Sequence, residues 1–186
     1  MKSLWILLLS GGFVFGVEEE ISAVDTLFVI ASSALVLLMT PALGLFYAGM
    51  VNRNNTLSTI LNSTMLYALI ALQWIILGYT LAFGEDKGGI LGGLNHIFLI
   101  DTNYSYVGNI PEKLFVFFQM LFAVIGAAII TGSLVERMRF GVLLIFILCW
   151  SALAYDILAH WVWGEGWLMK IGSLDFAGGG VVHIAA

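Results

Sequence analysis

Between residues 27 and 163 the chain alternates long apolar runs with short polar breaks. A helix needs about 20 apolar residues to cross a hydrocarbon core about 30 Å thick. The runs predict four membrane spans, over residues 27–50, 59–83, 114–135 and 140–163. Residues 51–55 form a polar turn, and 136–139 close the third span abruptly with Glu136, Arg137 and Arg139. Residues 85–113 are rich in Gly and Asn and read as a long loop with a short interfacial helix. A fifth run starts at Asp175 and reaches Ala186. As a helix it rises only about 16 Å, about half of the core, so the sequence is expected to be a fragment.

Polar residues inside these runs change the picture locally. Pro41 removes one backbone hydrogen bond from the first span, which needs a neighbouring helix or a cavity to satisfy the freed carbonyl. Gln73 in the second span reads as an interhelical hydrogen bond. Asp156 in the fourth needs a partner, from Tyr155, His160 or a neighbouring helix.

Composition agrees with an all-α integral membrane protein, a polytopic transmembrane helix bundle. The chain is 61% hydrophobic and 10% charged, with mean hydropathy +1.02, whereas soluble domains carry about 25% charged residues. One cysteine, Cys149, rules out an intrachain disulfide, and the net charge of −5 gives no footprint for nucleic acid. No short-spaced metal-ligand cluster appears, and no cofactor is expected. Residues 1–17, with Lys2, an apolar core and small residues up to Gly16, read as a signal peptide. Residues 18–186 are then the membrane domain. Counting Lys and Arg ties the two sides; the short arginine loops and a cleaved signal favour an outside N-terminus.

The candidate chemistry sits after residue 150. Trp163 ends the fourth span, where an indole either anchors at the interface or offers its face to a cation. Asp175 reads as the N-cap of the fifth helix, and its charge also favours cations at that mouth. His183 follows it, about 12 Å deeper and about 80° around an ideal helix. It is either a hydrogen-bonded core histidine or part of a path. Ala177, Gly178, Gly179 and Gly180 remove bulk between the two, for close packing or a narrow lumen.

Four ordered blocks resemble the ammonium transporter family (Amt/Mep/Rh), in its bacterial Amt branch. They are Met39-Thr40-Pro41 with Leu45 to Val51, Gly78-Tyr79-Thr80-Leu81-Ala82-Phe83-Gly84, Glu136 to Phe140, and Ala159-His160-Trp161-Val162-Trp163-Gly164 with Asp175 to His183. The resemblance implies the first half of an eleven-helix inverted-repeat channel fold: four complete spans and the start of a fifth. It implies that Phe122 is one phenylalanine of an aromatic gate and that Trp163 lines an outer recruitment site with it. It implies that Asp175 supports that site and that His183 is the first of two pore histidines. The second histidine, the other gate phenylalanine and a site serine belong to later spans. Asp156 and Ile157 stand where relatives commonly carry a proline after Tyr155, and Gly180 where a small hydroxyl residue is frequent. Ammonium or ammonia as substrate, a homotrimer in the lipid bilayer of the bacterial inner membrane, and a PII-type cytoplasmic regulator are further implications.

Competing readings are a channel for another small neutral gas or amine, a membrane ammonium sensor, and a haem or metal protein using His160 and His183. A serine- or cysteine-type enzyme has little support, since no Gly-x-Ser-x-Gly block is present.

Overall fold

Ser22 opens the first helix: its Oγ accepts the backbone N–H of Asp25 at 3.2 Å. Asp25 then places a negative charge on the positive end of α1, Ala23–Ala48. The structure is a computed structural model and describes residues 21–100, 102 and 106–186. The signal-peptide reading of residues 1–17 lies outside the described residues.

Four helical stretches are long and apolar enough to cross a membrane: Ala23–Ala48, Arg53–Phe83, Glu112–Leu134 and Phe140–Lys170. The first is α1 and the third is α4. The second consists of α2 (Thr56–Gln73), a π-helical turn (Trp74–Gly78) and α3 (Tyr79–Phe83). The fourth consists of α5 (Phe140–Trp150), a π-helical turn (Ser151–Tyr155), α6 (Asp156–Trp163) and the short α7 (Trp167–Lys170). In the π turns the bonds reach five residues back, from Tyr79 N–H to Trp74 O and from Asp156 N–H to Ser151 O.

Helix α4 is the hub, touching α1, α2 and the fourth span. Its middle carries Ala123, Gly126, Ala127 and Ala128, small residues that let neighbours approach closely. Gly126 admits the rings of Trp150 and Tyr155, and Gly132 lies against the Tyr47 ring. Large apolar side chains such as Leu35, Leu38, Leu61, Ile145 and Leu153 point outward, as lipid-facing surfaces require.

Pro41 lies inside α1, and its missing N–H frees the Leu37 carbonyl. The Tyr67 hydroxyl of α2 donates to that carbonyl, so a neighbouring helix supplies the partner the proline removes. The expected interhelical bond of Gln73 is also present. Its Nε2 donates to Asp156 Oδ2 at 2.6 Å, while its Oε1 accepts the Ser151 hydroxyl at 3.0 Å. Asp156 thus finds its partner on the second span rather than in Tyr155 or His160.

The two ends are tied differently. At the arginine end, Glu136 Oε1 accepts from Asn52 N (2.9 Å) and Asn55 Nδ2 (2.8 Å), joining the two short loops. The side-chain bond from Asn55 and the backbone bond from Asn52 hold the Glu136 carboxyl below its usual range. At the acidic end, where an interfacial helix was expected, the chain forms two small antiparallel hairpins. They pair β1 (Asp86–Lys87) with β2 (Leu91–Gly92) and β3 (Tyr106–Val107) with β4 (Ile110–Pro111). Among the described residues between α3 and α4, the helical winding is a single 3-10 turn over Ile97–Leu99. Gly88 and Gly89, with φ of 73° and 79°, close the first hairpin in a conformation that suits glycine.

The fifth run departs from expectation. No helix opens at Asp175; winding begins at Gly179 and is π-helical to Ile184. Gly178 sits at φ 78°, and consecutive glycines favour no helix of their own. The ideal-helix depth and angle between Asp175 and His183 therefore do not apply.

Candidate functional site

The site is assembled from the end of α6, the face of α4 and the glycine turn. Trp163, the last residue of α6, donates its Nε1–H to the Asp175 carbonyl at 2.6 Å. That bond fixes the indole plane and occupies its only donor. The Phe122 ring on α4 lies 6.1 Å from the Trp163 ring at 65°, and Phe118 lies 5.0 Å from Phe122 at 86°. These are edge-to-face contacts that leave aromatic faces free.

Asp175 does cap the turn as expected, though from farther back. Its Oδ1 accepts from Gly179 N at 2.8 Å, and its Oδ2 from Gly180 N at 2.8 Å and Val181 N at 2.9 Å. Burial pushes the carboxyl up, but the backbone N–H groups of Val181, Gly180, Gly179 and Gly178 outweigh it and hold it below the usual range. A Cβ at Gly180 would stand 3.2 Å from Asp175 Oδ2, so a hydroxyl residue there would crowd the cap.

Two cavities meet at Phe122. One, about 350 Å³, is lined by Phe118, Gln119, Phe122, Trp163, Asp175 and Phe176. The other, about 390 Å³, is almost wholly apolar and is lined by Met39, Leu43, Phe122, Ile125, Val182 and His183. Phe122, Trp163 and Asp175 therefore share one cavity. His183 stands in the second, with Phe122 as the common wall.

Sequence reasoning missed a clasp on the acidic end. Both ring nitrogens of His160 face oxygen atoms, Nδ1 at 3.0 Å from Ala82 O and Nε2 at 3.0 Å from Asp86 Oδ1. Lys170 donates to the other Asp86 oxygen. With both nitrogens engaged, His160 has none left to ligate a haem or metal. Among the described residues no group of three or more His, Cys, Asp or Glu side chains is arranged to hold a metal ion. Residues 74 and 84 positions apart cannot be paired by local spacing; the only signal was the ionisable character of His160 inside a span end.

The clasp has a pH signature. Hydrogen bonds from Lys170 and then His160 draw the Asp86 carboxyl from its ordinary 3.8 down to about 2. A carboxyl depressed on folding stabilises fully above its unfolded value and loses that contribution as pH falls through the folded one. The loops that Asp86 ties are thus expected to loosen between about pH 4 and pH 2. Hydrogen exchange at residues 86–92 and 164–170 should rise over that window. Asp86→Asn should show the raised exchange at neutral pH already; protection equal to wild type there would contradict the clasp.

A profile of the Ammonium Transporter Family matches residues 27–186. The ammonium transporter of Bacillus subtilis is 48% identical over 165 residues, covering 87% of this chain and 41% of the relative. Among solved structures, Candida albicans Mep2 superposes with a TM-score of 0.80 at 35% identity, covering 88% of this chain and 37% of that one. A structure described as a sensor Amt protein also reaches 0.80, at 30% identity and covering 86% and 40%. The chain spans about two fifths of the length of the relatives it matches.

Proposed function

Because the chain belongs to the ammonium transporter family, we propose that the protein moves ammonium or ammonia across a membrane through a narrow apolar path. The observation that carries this reading is the pair of cavities joined at Phe122, one floored by Asp175 and Trp163, the other lined by His183. Trp163 spends its N–H on Asp175, so what it presents to the cavity is ring, and a ring face attracts a small cation by about 0.5–2 kcal/mol. The Asp175 charge, held by backbone N–H groups, adds to the cation preference of that mouth.

Beyond Phe122 the walls are apolar, and a bare cation there would lose its solvation without compensation. Ammonium therefore separates at the mouth into ammonia, which enters, and a proton. His183 offers the ammonia a hydrogen-bonding nitrogen and the proton a relay partner. The protein is a multi-pass membrane protein with the helical fold of its family. Its proposed setting is the bacterial inner membrane, as a homotrimer with the N-terminus and Trp163 outside. Arg53, Arg137 and Arg139 then lie on the cytoplasmic face, where a PII-type regulator would dock. The likeness to a sensor Amt protein favours one second reading, an ammonium sensor that uses the same mouth.

Methylammonium uptake by liposomes holding the full-length protein tests the proposal. Wild type is expected to accumulate it. Trp163→Ala should weaken its apparent affinity roughly 2- to 30-fold. His183→Ala should lower uptake or change its selectivity. A folded, oriented wild type that takes up nothing would transfer the case to the sensor.

A further inference from the structure

Trp163, Phe83 and Phe115 line the mouth and also a neighbouring cavity of about 380 Å³. That cavity is further walled by Tyr79 and carries Glu112 and Glu165, but neither Phe122 nor Asp175. We propose that this cavity is a second cation site, suited to small alkylammonium ions and independent of passage through the membrane.

Charge is the first support. Glu112 is only 5% exposed. The Tyr79 hydroxyl donates to its Oε1 at 2.7 Å. The N-terminal dipole of α4 favours a carboxylate at this position, but as about half an elementary charge it does not replace a counter-ion. Neither Lys nor Arg is among the residues that line the cavity. Lys87 is engaged with Glu85 at 3.1 Å, where both are exposed. A buried carboxylate facing an open space without a counter-charge is what a cationic ligand would complete.

Wall chemistry is the second support. Tyr79 and Phe83 lie 5.6 Å apart, and Phe83 and Phe115 lie 5.0 Å apart edge to face, so the rings brace each other around the space. Aromatic faces beside a carboxylate are the chemistry that recognises alkylated ammonium. The volume exceeds what bare ammonium fills. His96, whose ring is 5.8 Å from Tyr79, lines the same cavity and keeps a buried Nδ1 with no partner among the described residues. Glu165, exposed at the rim, draws cations toward it, and Glu85 beside it is offset by Lys87.

Tetramethylammonium chloride is the probe, because it has no N–H to give up and so separates binding from transport. Calorimetric titration of the full-length protein in lipid nanodiscs is expected to show binding. Phe122→Ala should keep it, whereas Glu112→Gln, which still offers Tyr79 an acceptor, should weaken it about tenfold. If Glu112→Gln does not fold, Glu165→Gln at the rim decides, with about threefold weaker binding and a flatter salt dependence expected. No binding by wild type, binding unchanged in the charge variants that fold, or binding abolished by Phe122→Ala would each overturn the proposal. Failure of methylammonium uptake leaves it standing, so the two readings fail separately.

Discussion

Gly164→Ala is expected to cost about 3 kcal/mol or more and to unfold the acidic end of the bundle. A Cβ at Gly164 would lie 1.9 Å from the Ala82 carbonyl oxygen and 2.8 Å from His160 Nδ1. The first obstacle is backbone, so no side-chain rotation relieves it; α3 and α6 must separate. The same movement breaks the His160–Ala82 contact at 3.0 Å and loosens the Asp86 clasp. Gly141 is the control, since nothing lies within 4 Å of its Cβ position near the start of α5. Gly141→Ala should leave stability unchanged or raise it by up to about 1 kcal/mol. Denaturation of the two purified variants in detergent measures both signs. Equal behaviour of Gly164→Ala and wild type would refute the close approach.

Gln73→Leu is the second large effect, at about 3 kcal/mol. Asp156 is fully buried, and the Gln73 amide is its hydrogen-bond partner at 2.6 Å; its other oxygen has none among the described residues. Leucine fills similar space but leaves the carboxyl group alone in an apolar interior, and Ser151 loses its acceptor as well. The double replacement Gln73→Leu with Asp156→Leu should therefore be less destabilising than Gln73→Leu alone, because it removes the stranded group along with its partner. A double-mutant cycle reads this directly. Strict additivity of the two changes would show that the pair is not coupled.

Much of the molecule was legible in the chain. Long apolar runs predict membrane helices because lipid leaves the backbone few other ways to satisfy itself. The same rule made Pro41 and Gln73 readable as sites needing a partner, and Tyr67 and Asp156 supply them. Trp163 as a span-end indole and Asp175 as a capping charge were readable from the residues, but Phe122 joins them through the family resemblance rather than from periodicity. The fifth segment departs from the ideal helix its apolar run predicts because consecutive glycines, one of them at φ 78°, favour no helix. Glu112 was unreadable for another reason: it looked like one more loop acid, and only the folded chain buries it under Tyr79. The Asp86–His160–Lys170 clasp depends on a hairpin whose closure no hydrophobic pattern announces.

The π-helical turns inside the second and fourth spans have a consequence for comparing chains. A turn closed five residues back holds one residue more than an ordinary helical turn over nearly the same length. Trp74–Gly78 and Ser151–Tyr155 are thus places where each span stores a spare residue. A relative could lose that residue and still present Tyr79 or Trp163 on the same side of its helix. Alignment gaps, normally forbidden inside a membrane helix, are therefore permitted at these two places, and a gap there is no sign of a different fold.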